Sequence, residues 1–164
     1  MFKFLVYFTL TLSALFSIEK LNTTREHLII PFTEYIAQIS AWIIHFFDAQ
    51  VITQGIIIQS LSNGFAVSIE SGCNGVEALI VLASAILVFP SQWRHKLYGI
   101  SIGFCAVQLL NIIRIISLFY LGQWDQDVFE WAHLYIWEAL IMLDVLVVFL
   151  FWLKQLPHIE KPVA

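Results

Sequence analysis

Charged residues are scarce in this sequence: they make up 12% of its 164 residues, whereas hydrophobic residues make up 60%. A soluble globular domain typically has about 25% charged and about 45–50% apolar residues. A chain this short cannot cover so much apolar surface in water, so the composition excludes a soluble domain and predicts an integral membrane protein in contact with the lipid bilayer. The net charge is only −4 and no basic patch occurs, so nucleic acid is not an expected partner.

Cysteine is also rare, because only Cys73 and Cys105 occur. They are 32 residues apart, which fits neither a CxxC redox motif nor a zinc-site spacing. The sequence therefore predicts no metal site and no cofactor. A disulfide is not expected either, since Cys105 lies inside an unbroken apolar run and Cys73 lies in a polar, glycine-containing junction, which places them at different depths.

Long apolar runs define the fold class. A helix needs about 20 apolar residues to cross a bilayer. The segments that approach this length are 2–18, 75–89, 97–121 and about 133–153. The first resembles a signal peptide, but no small-x-small cleavage site follows it, so we interpret it as an uncleaved anchor. The predicted fold is an all-α integral membrane helical bundle with about four transmembrane helices, or five if residues 28–47 also cross.

Residues 28–47 allow two interpretations. Apolar residues recur there at helical spacing: Leu28, Phe32, Tyr35, Ile36, Ile39, Ile43, Phe46 and Phe47. Polar residues fall largely on another face: Glu34, Gln38, His45 and Asp48. This pattern is typical of an amphipathic helix that lies in the membrane interface, although the segment is also long enough to be a fifth span.

A short β-hairpin is predicted over residues 55–70. Three consecutive isoleucines precede Ser62-Asn63-Gly64, and the apolar residues after it alternate with small or polar ones. Asn-Gly suits a tight turn because both residues tolerate positive φ. At the other end of the chain, we expect the tail 157–164 to be loose.

Positive charge predicts the orientation of the bundle. Residues 94–96, Arg-His-Lys, fill the short loop between the second and third predicted spans, and Lys154 and Lys161 follow the last one. Residues 48–72 and 122–132 contain no Lys or Arg. The positive-inside rule therefore places 91–96 and the C-terminus in the cytoplasm and the other two stretches outside.

The same rule divides the chain, which we interpret as a single membrane domain, 1–164. Lys3 favours a cytoplasmic N-terminus, and residues 28–47 would then lie on the outer surface rather than cross. The predicted parts are an N-terminal anchor helix and loop (1–27), an outer-face amphipathic helix and hairpin (28–72) and a catalytic three-helix core (73–154).

Three residues with useful chemistry fall near the outer ends of three different predicted spans: Cys73, Arg114 and His133. A thiolate is a nucleophile whose formation is favoured by a helix N-terminus or a nearby cation. A guanidinium inside a span costs about 2.5–3.5 kcal/mol and normally has a protein partner. Histidine exchanges protons near neutral pH. Charge counting alone places all three on one side, so we expect them to form one site.

Each of these residues also has a purely structural explanation. Cys73 could be a small residue packed at a helix end, Arg114 could reach the outer surface and serve only topology, and His133 could be an ordinary interfacial residue. The sequence does not decide between these explanations residue by residue.

Supporting groups are predicted around Cys73. The backbone N–H groups of Asn74, Gly75 and Val76 begin a helix and lack helical partners, so they are candidate donors to an oxyanion.

A polar stripe with a spacing of three residues faces the bundle: Gln108, Asn111, Arg114 and Ser117. The carboxylates in or near spans are Glu77, Glu138 and Asp144. We expect one carboxylate to pair with Arg114, and Glu77, one turn beyond Cys73, is the first candidate.

At these positions the chain resembles the exosortase/archaeosortase family of membrane transpeptidases. The resemblance rests on Cys73-Asn74-Gly75 at a helix start, on Asn111-Ile112-Ile113-Arg114 in the next span, and on His133 at the start of the following one. The family more often has Ser where this chain has Asn74. The match covers roughly residues 65–150, and the short length and the Glu-Ser-Gly-Cys-Asn-Gly-Val-Glu-Ala stretch look most like exosortase H.

The resemblance implies a cysteine transpeptidase or protease at the bacterial inner membrane, with its active site at the periplasmic face. The implied catalytic residues are Cys73, Arg114 and His133, and the implied intermediate is a thioester on Cys73. The implied partners are exported proteins that end in a short motif, of Ile-Pro-Thr-Leu type for exosortase H, followed by a hydrophobic helix and a basic tail. The predicted location of the hairpin and of segment 28–47 makes them candidates to recognise the motif.

Two other functions remain open from the sequence. A thiol–disulfide membrane protein would use both Cys73 and Cys105. A non-enzymatic membrane assembly factor would tolerate the loss of Cys73 and would use Arg114 only for stability.

Overall fold

The computed structural model describes residues 2–156, so the predicted loose tail, 157–164, lies outside the described residues. Helices dominate the fold and a small antiparallel sheet interrupts them, which confirms the predicted class of a helical membrane bundle with a short hairpin. The elements in chain order are α1 (Phe2–Glu19), α2 (Asn22–Ile44), β1 (Val51–Gln54), β2 (Ile57–Ser60), β3 (Ala66–Ser68), α3 (Val76–Val88), α4 (Trp93–Trp124) and α5 (Gln126–Lys154).

Two of these helices contain a π-helical turn. In α2 it is Arg25–Ile29, between Asn22–Thr24 and Ile30–Ile44. In α5 it is Ala132–Ile136, between Gln126–Trp131 and Trp137–Lys154. Such turns widen an α-helix locally and are frequent at functional sites.

Within residues 2–156, four helices are long and apolar enough to cross a membrane: α1, α2, α4 and α5. The predicted second span is the exception, because α3 has only 13 residues, or about 20 Å of helix, against an apolar thickness of about 30 Å. It ends at Val88 because Pro90 holds Phe89 in an extended conformation (φ −66°, ψ 134°). By length and composition, the fourth candidate span is α2 rather than α3.

The short helix α3 lies in the centre of the bundle and packs against α1, α4 and α5. Glycines on one face of α4 allow close packing, because a Cβ at Gly99 would collide with Trp152 of α5 and one at Gly103 would collide with Leu82 of α3. The buried core of the bundle consists of Ala78, Leu82, Ile86, Val107, Ile141, Val145, Val148 and Trp152.

The helix α2 buries one face in the protein. Its buried residues are mostly small: Thr33, Ile36, Ala37, Ser40, Ala41 and Ile44. The large apolar side chains of Leu28 and Tyr35 are 65% and 62% exposed. In a membrane protein the exposed surface is itself apolar where it meets lipid, and small residues let helices approach closely. The apolar stripe of α2 is therefore divided between the packed face, where Ile36 is buried, and the exposed surface.

The predicted hairpin is confirmed as β2 and β3, with Ile58 opposite Val67. In its turn, Asn63 Oδ1 accepts a hydrogen bond from the Phe65 N–H, and Gly64 has a φ of +76°. The sequence analysis missed β1, which pairs with the other side of β2 and gives the order β1-β2-β3.

The helix α4 joins two packed regions. It has 32 residues, about 48 Å of helix, which exceeds the apolar thickness of a bilayer. Its N-terminal half packs in the bundle through Val107, and its C-terminal half packs against α2 and the sheet through Ile115 and Phe119. The segment between β3 and α3 leads from the region around α2 and the sheet to the helical bundle. It therefore lies at the boundary of these two packed regions.

Candidate active site

Cys73 lies in this connection, not in the first turn of a helix as the sequence suggested. Its N–H donates to the Glu70 carbonyl oxygen at 2.9 Å, and Gly72, at φ +87°, gives the turn its left-handed conformation. The helix α3 begins only at Val76. The helix dipole acts mainly within the first turn. Its effect on the Cys73 thiol is therefore weaker than it would be on a Cys inside that turn.

His133 lies beside the thiol, with its Nε2 3.1 Å from the Cys73 Sγ. It belongs to the π-helical turn of α5, and its ring stacks on that of Phe129, with a centroid distance of 5.7 Å and an interplanar angle of 22°. The stacking and the turn fix the direction of the imidazole. The pair is close enough for direct proton transfer from sulfur to nitrogen.

Arg114 completes the group and is only 3% exposed. Its Nη2 lies 3.6 Å from the Cys73 Sγ, and its Nη1 donates to the Gly72 carbonyl oxygen at 3.3 Å. The structure thus brings together the three residues that the sequence selected, from a loop, from α4 and from α5.

The charge state of Cys73 follows from these neighbours. Burial raises the pKa of the Cys73 thiol above its ordinary value, and the Arg114 guanidinium lowers it by less. The carboxylates of Glu77, Glu138 and Glu70 add to the rise. At neutral pH the thiol is therefore protonated, and a nearby base is needed to produce the nucleophile.

The predicted pair between Glu77 and Arg114 does not form directly. Instead, the two side chains form hydrogen bonds with different backbone groups of the same residue, Gly72. Glu77 Oε1 accepts a hydrogen bond from the Gly72 N–H, and Arg114 donates to the Gly72 carbonyl oxygen. Since Gly72 precedes Cys73, this arrangement fixes the backbone that carries the thiol.

Asn74, only 1% exposed, fixes the other side of Cys73. Its Oδ1 accepts a hydrogen bond from the Val76 N–H at 3.0 Å, and its Nδ2 donates to Thr33 Oγ1 at 3.0 Å. The Val76 N–H is therefore engaged and drops out of the predicted set of oxyanion donors. The N–H groups of Asn74 and Gly75 remain candidates for that role.

Gly75 is required by the backbone at the start of α3. It has a φ of +78°, and a Cβ at this position would lie 2.8 Å from Gln108 Nε2. Gln108 uses that nitrogen to donate to the Asn74 carbonyl oxygen at 3.3 Å. Asn111 is fully buried beside Gly75, and neither its Oδ1 nor its Nδ2 has a hydrogen-bond partner within the described part of the chain.

Comparison with protein families matches residues 2–153 to the family described as Transmembrane exosortase (Exosortase_EpsH). The chain belongs to the transmembrane exosortase family. No curated protein and no solved structure matches it. The family match confirms the resemblance read from the sequence and covers all the residues of the candidate site.

In this exosortase, Cys73, Arg114 and His133 border a cavity of about 110 Å³. The rest of its lining is mainly apolar and includes Ile69, Leu118 and Phe129. The volume suits one side chain of a bound molecule next to the sulfur, not a whole small-molecule ligand, which usually needs about 300 Å³ or more.

The other residues that the sequence analysis selected lie away from the Cys73 sulfur or contact it less directly. Glu138 is exposed, and the Asp144 Oδ2 is buried without a partner within residues 2–156. Cys105 is an exposed free thiol on α4, and Cys73 is also free. The sequence analysis missed Thr33 and Phe129 as parts of the site, and nothing in the spacing of either residue distinguishes it from an ordinary packing residue.

Proposed function

We propose that this exosortase is a cysteine transpeptidase that cleaves C-terminal sorting signals from exported proteins through a thioester on Cys73. The observation that carries the proposal is the position of one sulfur between a base and a cation. The Cys73 Sγ lies 3.1 Å from His133 Nε2 and 3.6 Å from Arg114 Nη2. A structural cysteine would need neither neighbour.

The first step is formation of the nucleophile. Because burial keeps the Cys73 thiol protonated at neutral pH, His133 takes its proton as the sulfur attacks the carbonyl carbon of the scissile peptide bond. The bond formed is C–S, and the negative charge moves to the carbonyl oxygen. Arg114 attracts the thiolate as it develops, which lowers the free energy of this step.

The second step is stabilisation and collapse of the tetrahedral intermediate. Arg114 and the N–H groups of Asn74 and Gly75 are the donors available to the oxyanion. The C–N bond then breaks, His133 gives its proton to the leaving amine, and the tail of the substrate departs. A thioester remains on Cys73 until an amine, or water, attacks it with His133 again acting as base.

The substrate class follows from the family and from the depth of the site. We infer that the enzyme lies in the bacterial inner membrane with Cys73 at the periplasmic face. The hydrophobic helix of the sorting signal would lie in the bilayer beside the bundle, with its basic tail in the cytoplasm. Its short motif would then reach the level of Cys73, between the end of the sheet and the beginning of α3.

The test is processing of a co-expressed exported protein that bears a sorting signal of Ile-Pro-Thr-Leu type. Wild type, Cys73→Ala and Cys105→Ser are compared at matched membrane levels. We expect wild type and Cys105→Ser to remove the tail and Cys73→Ala to leave it intact. Equal processing by Cys73→Ala would refute the nucleophile, and loss of processing in Cys105→Ser would favour the thiol–disulfide alternative.

A further inference from the structure

The strand β3 is an open edge of the sheet. It pairs with β2 on one side, and within residues 2–156 no strand pairs with its other side. Proteins usually protect such edges, because their free N–H and C=O groups can pair with another extended chain. The open edge of β3 is short and lies next to the candidate active site.

The hydrogen bonds between β2 and β3 show which groups face outward. The Ile69 N–H donates to the Ile56 carbonyl oxygen, and the Ser60 N–H donates to the Phe65 carbonyl oxygen. In an antiparallel pair, residues alternate between facing the partner strand and facing away from it. Residues 65, 67 and 69 therefore face β2, and the backbone groups of Ala66 and Ser68 point to the open side.

This edge leads directly to the nucleophile. The cavity that contains Cys73, Arg114 and His133 is also lined by four consecutive residues that begin in β3, residues 67–70. Cys73 follows after one turn, closed by its hydrogen bond to Glu70. Phe129 of α5 also lines this cavity.

We propose that the substrate binds as an extended strand beside β3, adds a fourth strand to the sheet and so delivers its scissile carbonyl group to Cys73. This inference rests on the proposed function, which supplies a peptide as the occupant. The main chain of the substrate pairs with the backbone N–H and C=O groups of Ser68 and Ala66. One apolar side chain of the substrate enters the cavity between Ile69 and Phe129.

Strand addition explains how one short edge can bind many sequences. Main-chain hydrogen bonds supply affinity, and pockets for alternate side chains supply specificity. A substrate proline is compatible with this mode wherever its nitrogen faces away from β3, since only alternate residues donate toward the edge.

The first test removes one backbone donor. Ser68→Pro deletes the outward N–H but leaves the β2 pairing intact, because residue 68 does not donate to β2, and Val67 already has the extended conformation that proline requires before it. The matched control is Ser68→Ala, which keeps the N–H and loses only the hydroxyl bond to Glu70. We expect Ser68→Pro to lose about tenfold or more in processing, since a donor is removed and a substrate carbonyl is left unpaired. The loss of the Ser68 hydroxyl is common to both variants, so the effect of the missing N–H is the difference in processing between Ser68→Pro and Ser68→Ala.

The second test does not depend on substrate processing or on whether the Ser68→Pro variant folds. Ser68→Cys and Ala66→Cys are made separately in protein that carries Cys73→Ala and Cys105→Ser. Each is oxidised with synthetic sorting-signal peptides of Ile-Pro-Thr-Leu type that carry a single cysteine at successive positions. A disulfide requires Cα atoms about 4.4–6.8 Å apart, and directly opposite residues in an antiparallel pair are about 4.5–5.5 Å apart.

Pairing as a strand predicts that the best-crosslinked peptide position shifts by two residues between Ser68→Cys and Ala66→Cys. Ile52→Cys, on β1 at the opposite edge of the sheet, should crosslink weakly. A shift of two residues supports strand addition even if wild type fails to process the substrate, in which case only the proposed chemistry is wrong. Crosslinks that are absent, that do not shift, or that are as strong at Ile52→Cys would overturn strand addition whatever the processing result. Equal loss in Ser68→Pro and Ser68→Ala would also overturn it.

Discussion

Replacing Arg114 with Gln should raise the pKa of Cys73 further and slow the reaction of its thiol with an alkylating agent. In the wild-type protein, burial already holds this pKa above the ordinary cysteine value, and Arg114 is the cation that opposes the rise. Gln is polar but carries no charge, and its donor nitrogen is two atoms closer to the backbone than that of Arg. The substitution therefore removes the electrostatic part of the contact with the sulfur.

The expected size of the effect follows from the contact. Arg114 Nη2 lies 3.6 Å from the Cys73 Sγ, and Arg114 is only 3% exposed, so water screens the interaction little. A hydrogen bond to a charged group contributes about 1.5–3 kcal/mol. Since 1.4 kcal/mol corresponds to a factor of ten, the thiolate population and the alkylation rate below the thiol pKa should fall by roughly 10- to 150-fold.

The assay is the rate of iodoacetamide alkylation of Cys73 from about pH 6 to about pH 10, a range that spans the ordinary cysteine pKa of about 8.5. All proteins carry Cys105→Ser, so that one thiol reports. The rate should rise with pH in every protein, and the rise should come at higher pH in Arg114→Gln than in the parent. Ser117→Ala is the control on the same helix, because its hydroxyl bonds only to the Arg114 carbonyl oxygen. Superimposable profiles for Arg114→Gln and the parent would refute the electrostatic role.

Three further predictions follow from the packing around the site. Gly75→Ala should cost about 1–2 kcal/mol, because position 75 has a positive φ and the new Cβ would displace Gln108; a thermal unfolding temperature equal to that of wild type would contradict this. Thr33→Val should slow processing, because it leaves the buried Asn74 amide without its acceptor, a loss of about 1–3 kcal/mol. Thr33→Ser keeps a hydroxyl and should restore the rate. Equal rates for the Thr33→Val and Thr33→Ser variants would show that the hydroxyl is irrelevant. Cys105→Ser should leave the processing rate of the purified protein unchanged, because its thiol is exposed and free; a slower rate would give Cys105 a role in the reaction.

The grouping of the candidate residues could be predicted from the sequence, because ionisable residues such as Arg114 and His133 are costly in a membrane. Arg114 and His133 stand out within apolar runs, and Cys73 stands out in a glycine-containing junction between a predicted hairpin and a predicted helix. Positive charges at the opposite ends of the same runs then place all three on one side. This reasoning needs only composition and the length of a helix, which a single sequence supplies.

Other features depend on contacts that no local pattern encodes. The apolar stripe of α2 is divided between the packed face, at Ile36, and the exposed surface, at Leu28 and Tyr35, because lipid also favours apolar surface. The strand β1 is only four residues long and is stabilised by its pairing with β2. The partner of Glu77 is a backbone N–H of Gly72, whereas sequence spacing points only to other side chains.

The π-helical turn that carries His133 was likewise not predictable. Residues 132–136 have ordinary helical composition, and the turn matters because it orients the imidazole toward Cys73. The sequence therefore predicts which residues meet, while the geometry of their contacts comes from tertiary structure.

The most direct test of the central claim is to trap the acyl-enzyme. Purified wild type and Cys73→Ala are mixed with a sorting-signal peptide, quenched in acid and measured by intact-protein mass spectrometry, with and without hydroxylamine. We expect an adduct on wild type equal in mass to the N-terminal part of the peptide, located on Cys73 and released by hydroxylamine, and no adduct on Cys73→Ala. Cleavage of the peptide by Cys73→Ala at the wild-type rate, or an adduct located on another residue, would contradict it.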